Sequence, residues 1–241
     1  WGGGDNTLEI RIRGVRILNK AQAVVATVPE VILDLSGRAL FAGMLAPTKL
    51  ELIGADAKLV RLSDGRVMFG LANEEPETAS GTSRTVFLNL ITRLAEPLDM
   101  SQSLGYLHQI TISNAILEIY DQPSATVWRG PDTNFTLTRD HDGIRGNLQT
   151  SISLKDSSWE IDATGTYDPD RRVINLDIHF GEFEPAVLAE EHEAFAALLP
   201  ITMPMSGSIN FEFGTEGSAP EAPPINFDIS AGPGNLTLPK F

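Results

Sequence analysis

The 241-residue chain contains no cysteine, which excludes a disulfide framework, a thiolate nucleophile and a thiolate metal site. Positive charge is also scarce: 18 Lys and Arg stand against 32 Asp and Glu, for a net charge of -14. Nucleic acid demands a basic surface, so no nucleic-acid partner is expected, and electrostatic docking on an anionic leaflet is disfavoured too. The acidic residues are dispersed rather than run in blocks, so their main effect is solubility. No apolar stretch reaches the ~20 residues needed to cross a bilayer. The opening Trp1-Gly2-Gly3-Gly4 has neither the charged start nor the apolar run of a secretory signal. Trp1 and Lys240-Phe241 read as cuts through a longer protein, so any membrane anchor is expected outside this chain.

The motifs of common chemistries are missing as well. No glycine-rich phosphate loop opens a helix, and no Gly-x-Ser-x-Gly elbow is present. His108, His141, His179 and His192 are scattered without ligand spacing, so no metal and no cofactor is expected. Asp140-His141-Asp142-Gly143 is accounted for by a hairpin turn, and Glu190-Glu191-His192-Glu193 by the solvated face of a helix. Of the tryptophans Trp1, Trp128 and Trp159, the last continues an apolar alternation with Ile161 and so belongs to an apolar face rather than a sugar-stacking platform, while Trp128 reads as a rim residue. Glu182 and Glu184 stand at i, i+2, the spacing that places two carboxylates on one face of a strand. That pair is the sole foothold for a hydrolase acting on cell-wall carbohydrate.

What the chain has in abundance is alternation. Val67-Phe69-Leu71, Ile110-Ile112, Leu117-Ile119, Trp159-Ile161, Ile174-Leu176-Ile178, Ile209-Phe211-Phe213 and Ile225-Phe227-Ile229 all advance by two. That period belongs to half-buried β-strands. The spacing predicts a mainly β fold, mostly antiparallel, with one apolar and one polar face. Two readings of the apolar face stay open at this point. It is either the dry core of a closed β-sandwich, a binding or scaffolding module, or a lining exposed for an apolar ligand.

Along the chain, Leu8, Ile10 and Ile12 alternate, and Val15 and Ile17 continue on the other parity. Gly14 at the change predicts a bulge that returns the apolar set to one face. Residues 21–28 and 30–35 read as strands divided at Pro29, and residues 37–45 as a short helix stopped before Pro47. Ser63-Asp64-Gly65 predicts a hairpin. Residues 72–84 are polar and lack an apolar period, which predicts a mobile loop. Phe87, Leu90, Ile91 and Leu94 predict a helix over 85–95, and a last amphipathic helix is expected from Pro185 to about Leu199, with Leu188, Phe195 and Leu199 inward. The whole, 1–241, reads as one β unit, with 1–84 and 85–241 as its natural sub-units.

Several segments resemble the AsmA-like family of bacterial envelope proteins, the YhdP-related members in particular. They include Ile12-Arg-Gly-Val-Arg-Ile-Leu, Val25-Ala-Thr-Val-Pro-Glu-Val-Ile-Leu-Asp-Leu-Ser and the stretch from Leu40 to Arg61. Ile110-Thr-Ile-Ser-Asn-Ala-Ile-Leu-Glu-Ile-Tyr-Asp and Pro204-Met-Ser-Gly-Ser-Ile continue the similarity. The resemblance implies a long, curved antiparallel sheet forming a groove with two or three short amphipathic helices. Its concave face would be apolar and carry phospholipid acyl chains between the inner and outer membranes. It further implies a periplasmic protein, anchored to the inner membrane through segments outside this chain, with envelope protein partners at the groove ends and no catalysis. On this reading the alternating residues quoted above, from Val67 to Ile229, are the lipid-binding set.

Overall fold

The structure is a computed structural model that describes residues 7–18, 24–63, 67–71, 94, 99–140, 143–154, 157–214 and 225–237. Its strands belong to one 12-stranded sheet, curved and not closed on itself. They are β1 (Thr7–Leu18), β2 (Val24–Ser36), β3 (Pro47–Ile53), β4 (Asp56–Arg61), β5 (Val67–Leu71) and β6 (Gln109–Asp121). After them come β7 (Thr126–Asp140), β8 (Gly143–Ser153), β9 (Ser158–Asp168), β10 (Val173–Phe183), β11 (Met205–Gly214) and β12 (Asn226–Ala231). The main path through the sheet is β1-β2-β3-β6-β7-β8-β9-β10-β11-β12, with β5 paired to β4 off that path. No second sheet packs on it among the described residues, so the closed sandwich is not the architecture.

Neighbours run antiparallel except at one place. β3 and β4 lie end to end along β6, and both pair with it in parallel: Leu50↔Ile110 and Leu52↔Ile112 from the first, Ala57↔Leu117 and Leu59↔Ile119 from the second. A long connection after β5 returns the chain to the end at which β3 began, and parallel pairing requires such a return. This ladder also joins residues on both sides of position 84 in one sheet.

The apolar set changes parity along the long strands, and it does so along a single line. Gly14 of β1 (φ +63°), Gly54 between β3 and β4 (+70°), Asn114 of β6 (+52°) and Asp132 of β7 (+56°) are all left-handed. On either side of the line the apolar residues step by two, but on opposite parity: Ile110 and Ile112 before Asn114, Ala115 and Leu117 after it. A left-handed residue turns the pleat over, so both halves present their apolar side chains to the same face. Accordingly Val28, Val31, Ala55, Ile112 and Ala115 form one buried cluster, with Val15 and Phe135 packed against it. Gly54 lies against Pro29, whose Cγ would stand 3.3 Å from an added Cβ.

The predicted bulge at Gly14 takes a different form. Register is unbroken across it, from Arg13↔Glu30 to Val15↔Val28, because β2 changes parity opposite, at Pro29. For the same reason Pro29 does not divide two strands. It lies within one continuous β2, where its missing N–H falls at the crease rather than in a regular ladder position. The line ends at β7, whose extra residue is absorbed as a register shift against β8 between Arg129 and Asn134. There Gly130 leaves room for the Thr133–Thr150 hydroxyl pair (2.6 Å), since a Cβ on it would stand 2.2 Å from the Thr150 Oγ1.

The helices are short. α1 (Gly37–Phe41) is capped by Ser36, whose Oγ accepts from the Ala39 N–H at 3.2 Å. α2 (Pro185–Glu191) starts with proline in its first turn, and the segment continues as a 3-10 turn over Glu193–Leu198. The expected continuous helix to Leu199 is therefore broken at His192, whose extended backbone ends α2 and whose Nδ1 accepts from the Ala194 N–H (3.1 Å). Leu188 is buried and Phe195 half-buried, but Leu199 is exposed because the break rotates it away from the sheet. The loop predicted at 72–84 and most of the helix predicted at 85–95 lie outside the described residues, apart from buried Leu94.

At the far end of the β4–β6 ladder, the Asp121 carboxylate accepts from the Arg61 guanidinium and from the Ser124 hydroxyl. The Arg61 hydrogen bond is the main cause holding Asp121 below the ordinary carboxylate range; burial opposes it, and Ser124 adds to the lowering. A carboxyl depressed on folding stabilises the native state above its unfolded pKa and loses that contribution as pH falls through the folded value. The melting temperature is thus expected to decline as pH drops below about 4, and less steeply in Asp121→Asn. Gly54→Ala should destabilise the fold by about 1–2 kcal/mol in urea titration, because it places a Cβ in the left-handed region. Asn114→Gly, at the same line, should cost nothing measurable.

Candidate functional site

Register carries one apolar face across the whole path. From β8 onward the opposed residues are Leu148↔Ala163, Ile152↔Trp159, Ile178↔Ala163, Leu176↔Phe211, Ile178↔Ile209 and Ile209↔Phe227. Directly paired residues share a face, so these side chains form a single surface. The opposite face holds their polar neighbours, with ion pairs such as Arg171–Glu212 (2.7 Å) and Lys58–Glu118 (3.2 Å).

The described residues cover this surface unevenly. Over β6–β8 it is core: Leu94, Leu107, Ile110, Leu137 and Ile144 make one buried cluster near one strand end. Near the other end, Ile152, Leu154 and Leu188 make a second, onto which α2 and the 3-10 turn lay Val187, Phe195 and Leu198. Beyond β8 the cover thins. The apolar side chains of β9 and β10 are half-buried, save buried Val173. On β12 and at its threshold they are open: Ile225, just before the strand, is 52% exposed, Phe227 63% and Ile229 48%. Between the covered ends β9 carries small residues, Ala163 and Gly165, flanked by Trp159 and Ile161 on one side and Tyr167 on the other. Leu176 and Ile174 lie beside Gly165, with methyl carbons 3.7 and 3.6 Å from where its Cβ would stand. The face therefore has a shallow floor between two bulkier margins.

The expected lining residues fall into three groups. Ile110, Ile112 and Leu117 are buried under protein, with Ile119 half-buried against the α2 cluster. Trp159, Ile161, Ile174, Leu176, Ile178, Ile209 and Phe211 are half-buried, and Ile225, Phe227 and Ile229 are exposed; together these lie on β9 to β12 or at its threshold. For Val67, Phe69, Leu71 and Phe213 the backbone alone is described. It pairs as Arg61↔Val67, Leu59↔Phe69, Ala57↔Leu71 and Ile174↔Phe213.

Two further aromatic residues complete the margin. Phe180 and Phe183 both contact Trp159, with ring centroids 6.0 and 4.5 Å away. They share a face despite their odd spacing because the β10–β11 register shifts between them. Phe180 was legible as the next step after Ile178, whereas the shift at Gly181-Glu182 hides Phe183 from any period-two reading. Trp128, expected at a rim, is half-buried and meets Phe195 at 5.6 Å, so it anchors the 3-10 turn.

The carboxylates of the hydrolase reading are set apart in role. Glu182 is exposed at the shift in β10, and Glu184 is the residue that precedes the first turn of α2. They border an open cleft with Glu190, Glu191, Ser157 and Ser158, floored by Phe183, Val187 and Pro204. No His/Asp/Glu group with metal-holding geometry occurs among the described residues; His141 and Asp142 of the predicted turn lie outside them, and Glu190-Glu191-His192-Glu193, read as a helix face, spans the helix break.

Trp159 has a buried indole N–H with no hydrogen-bond partner among the described residues, so its value is in its ring and not its donor. Trp159→Phe is expected to change unfolding free energy by less than about 1 kcal/mol, and Trp159→Ala to lower it by about 3 kcal/mol. Urea denaturation followed by far-UV circular dichroism measures both. No protein-family model, curated protein or solved structure matches this chain.

Proposed function

We propose that this chain binds lipid, holding phospholipid acyl chains on the open apolar face of β9–β12, and that it is a segment of an AsmA-like transfer groove. The observation that carries this reading is the gradient of cover. A single apolar face runs across the sheet, is packed with protein over β6–β8, and is left bare by the described residues toward β12. A contiguous apolar surface of this kind marks a binding site or an aggregation hazard, and a net charge of -14 keeps such a chain soluble without covering the patch.

Dimensions agree with an acyl chain. Three inter-strand steps from β9 to β12 span about 14 Å. One leaflet of a bilayer's hydrocarbon core is about 15 Å thick, which is the reach of one acyl chain. Each methylene moved from water onto this face gains about 0.8 kcal/mol when fully buried. The flanking surface is polar, so a headgroup would remain in water while the tail lies across the strands. Along a floor of Ala163, Gly165 and aliphatic side chains no position is strongly preferred, which favours sliding over fixed binding. No reaction is catalysed on this reading and no cofactor is required.

The same reading places the protein in the periplasm, anchored to the inner membrane by segments outside this chain, with envelope proteins meeting the groove ends. Native mass spectrometry of the purified chain, with organic extraction of the same sample, tests it. Phospholipid that survives gel filtration is the expected result, and a lipid-free, monodisperse protein overturns the proposal. Phe211→Asp combined with Phe227→Asp should abolish retention while leaving the circular dichroism spectrum unchanged. Unchanged lipid content in that folded double variant would remove β11 and β12 from the site.

A further inference from the structure

The sheet has a second unpartnered feature at its opposite edge. β1 pairs with β2 and with nothing else among the described residues, so its outer N–H and C=O groups are free of a ladder. An open edge normally carries a device that blocks pairing, such as proline, an inward charge or a covering loop. Between Thr7 and Arg13, β1 has no proline and no glycine, and Leu8 (51%) and Ile12 (46%) are left exposed on the apolar side. This straight stretch ends at Gly14, where the crease turns the strand.

Its sequence, Thr7-Leu-Glu-Ile-Arg-Ile-Arg13, is self-complementary. Laid antiparallel on a second copy with Ile10 opposite Ile10, it sets Glu9 against Arg11 and Arg11 against Glu9. Leu8 then faces Ile12, and Ile12 faces Leu8. Ile10 is also the midpoint of the stretch, so the two-fold axis falls where pairing is longest. The register joins residues of equal parity, so it suits the outward hydrogen-bonding positions whichever parity they have. Charge fits too: Arg11 and Arg13 reach Glu30 at 3.0 and 3.4 Å and Arg11 also reaches Glu9 of its own strand at 3.5 Å, so pairing across the edge exchanges an exposed Glu9–Arg11 contact within one strand for the same contact between two copies. Two other strands pair on one side only among the described residues: β12 has Asp228 as its only charge and β5 has no charge at all, so neither offers itself a complement.

We infer that β1 is a homodimerisation edge, at which two copies of this chain pair antiparallel about Ile10 and continue one sheet through a two-fold axis normal to it. Such an axis keeps both apolar faces on the same side, so the dimer doubles the length of the face. The inference rests on the edge alone and holds whether or not the face carries lipid.

Because the chain has no cysteine, the edge can be tested with single-cysteine variants. In Ile10→Cys the introduced thiols would oppose each other across the axis, and mild oxidation is expected to give a disulfide-linked dimer. Phe227→Cys, on the other edge, should stay monomeric on a non-reducing gel. Sedimentation velocity gives the second readout. Arg11→Glu sets carboxylate against carboxylate twice per dimer and should weaken association roughly tenfold to hundredfold. The exchange Glu9→Arg with Arg11→Glu restores opposite charges in the same register and should recover the dimer. A wild-type chain that sediments as a monomer at high micromolar concentration overturns the inference. So does a folded exchange variant that fails to recover, or cross-linking at position 227 in place of 10.

Discussion

Everything in this structure depends on keeping apolar side chains on one side of a very wide sheet. A strand alternates its side chains strictly, so a strand of a dozen residues either holds one parity throughout or must turn its pleat over. Here β1, β2, β6 and β7, and β3 with β4 taken as one, change parity, and they change it along one line. Gly14, Gly54, Asn114 and Asp132 supply the left-handed turns, with Pro29 inserted opposite Gly14 and against Gly54. If any one strand crossed without the turn, its second half would show apolar side chains to water and polar ones to the core. The crease is thus a collective constraint, which accounts for the use of glycine, asparagine and aspartate, the residues that accept positive φ at least cost.

Cover divides the sheet in another direction, along its strand order, into a packed part over β6–β8 and an open part beyond it. Strands that cross the crease fold their apolar residues into the clusters around Val28, Ile112 and Ala115, and Leu94, Leu104, Leu107 and α2 complete the packing over β6–β8. Strands beyond β8 have no crease, and the described residues lay no helix over them further than the Trp159–Phe183 margin. The same alternation thus serves as core on one side and as bare surface on the other. That contrast, and not the presence of apolar residues as such, is what favours a lipid over a purely structural role for β9–β12.

Much of the fold was legible from residues alone. The period-two runs after Leu107 became strands, and the helix read over 37–45 is present but shorter, over Gly37–Phe41. A local signal misleads where a neighbour overrules it. Pro29 looks like a strand break in isolation, yet the facing Gly14 and adjacent Gly54 give it a place within β2. Leu199 fits a helical stripe from Pro185, but the turn at His192 takes it out of that stripe. Phe183 is off-period by one, and only the register shift against β11 returns it to Trp159.

By itself the sequence determined that the chain is a β protein with a polar and an apolar face, because alternation is a local property of successive side chains. It determined, too, that thiolate chemistry is excluded, since the chain has no cysteine. Tertiary structure alone decided which apolar residues are core and which are surface. Ile112 and Ile229 sit in strands of like pattern, yet one is buried and the other 48% exposed. Burial depends on what the rest of the chain lays over a strand, and segments distant in sequence, such as Leu94 and α2, supply that cover. The parallel placement of β3 and β4 along β6 was likewise beyond local reading, since no residue within a strand records which neighbour it will meet.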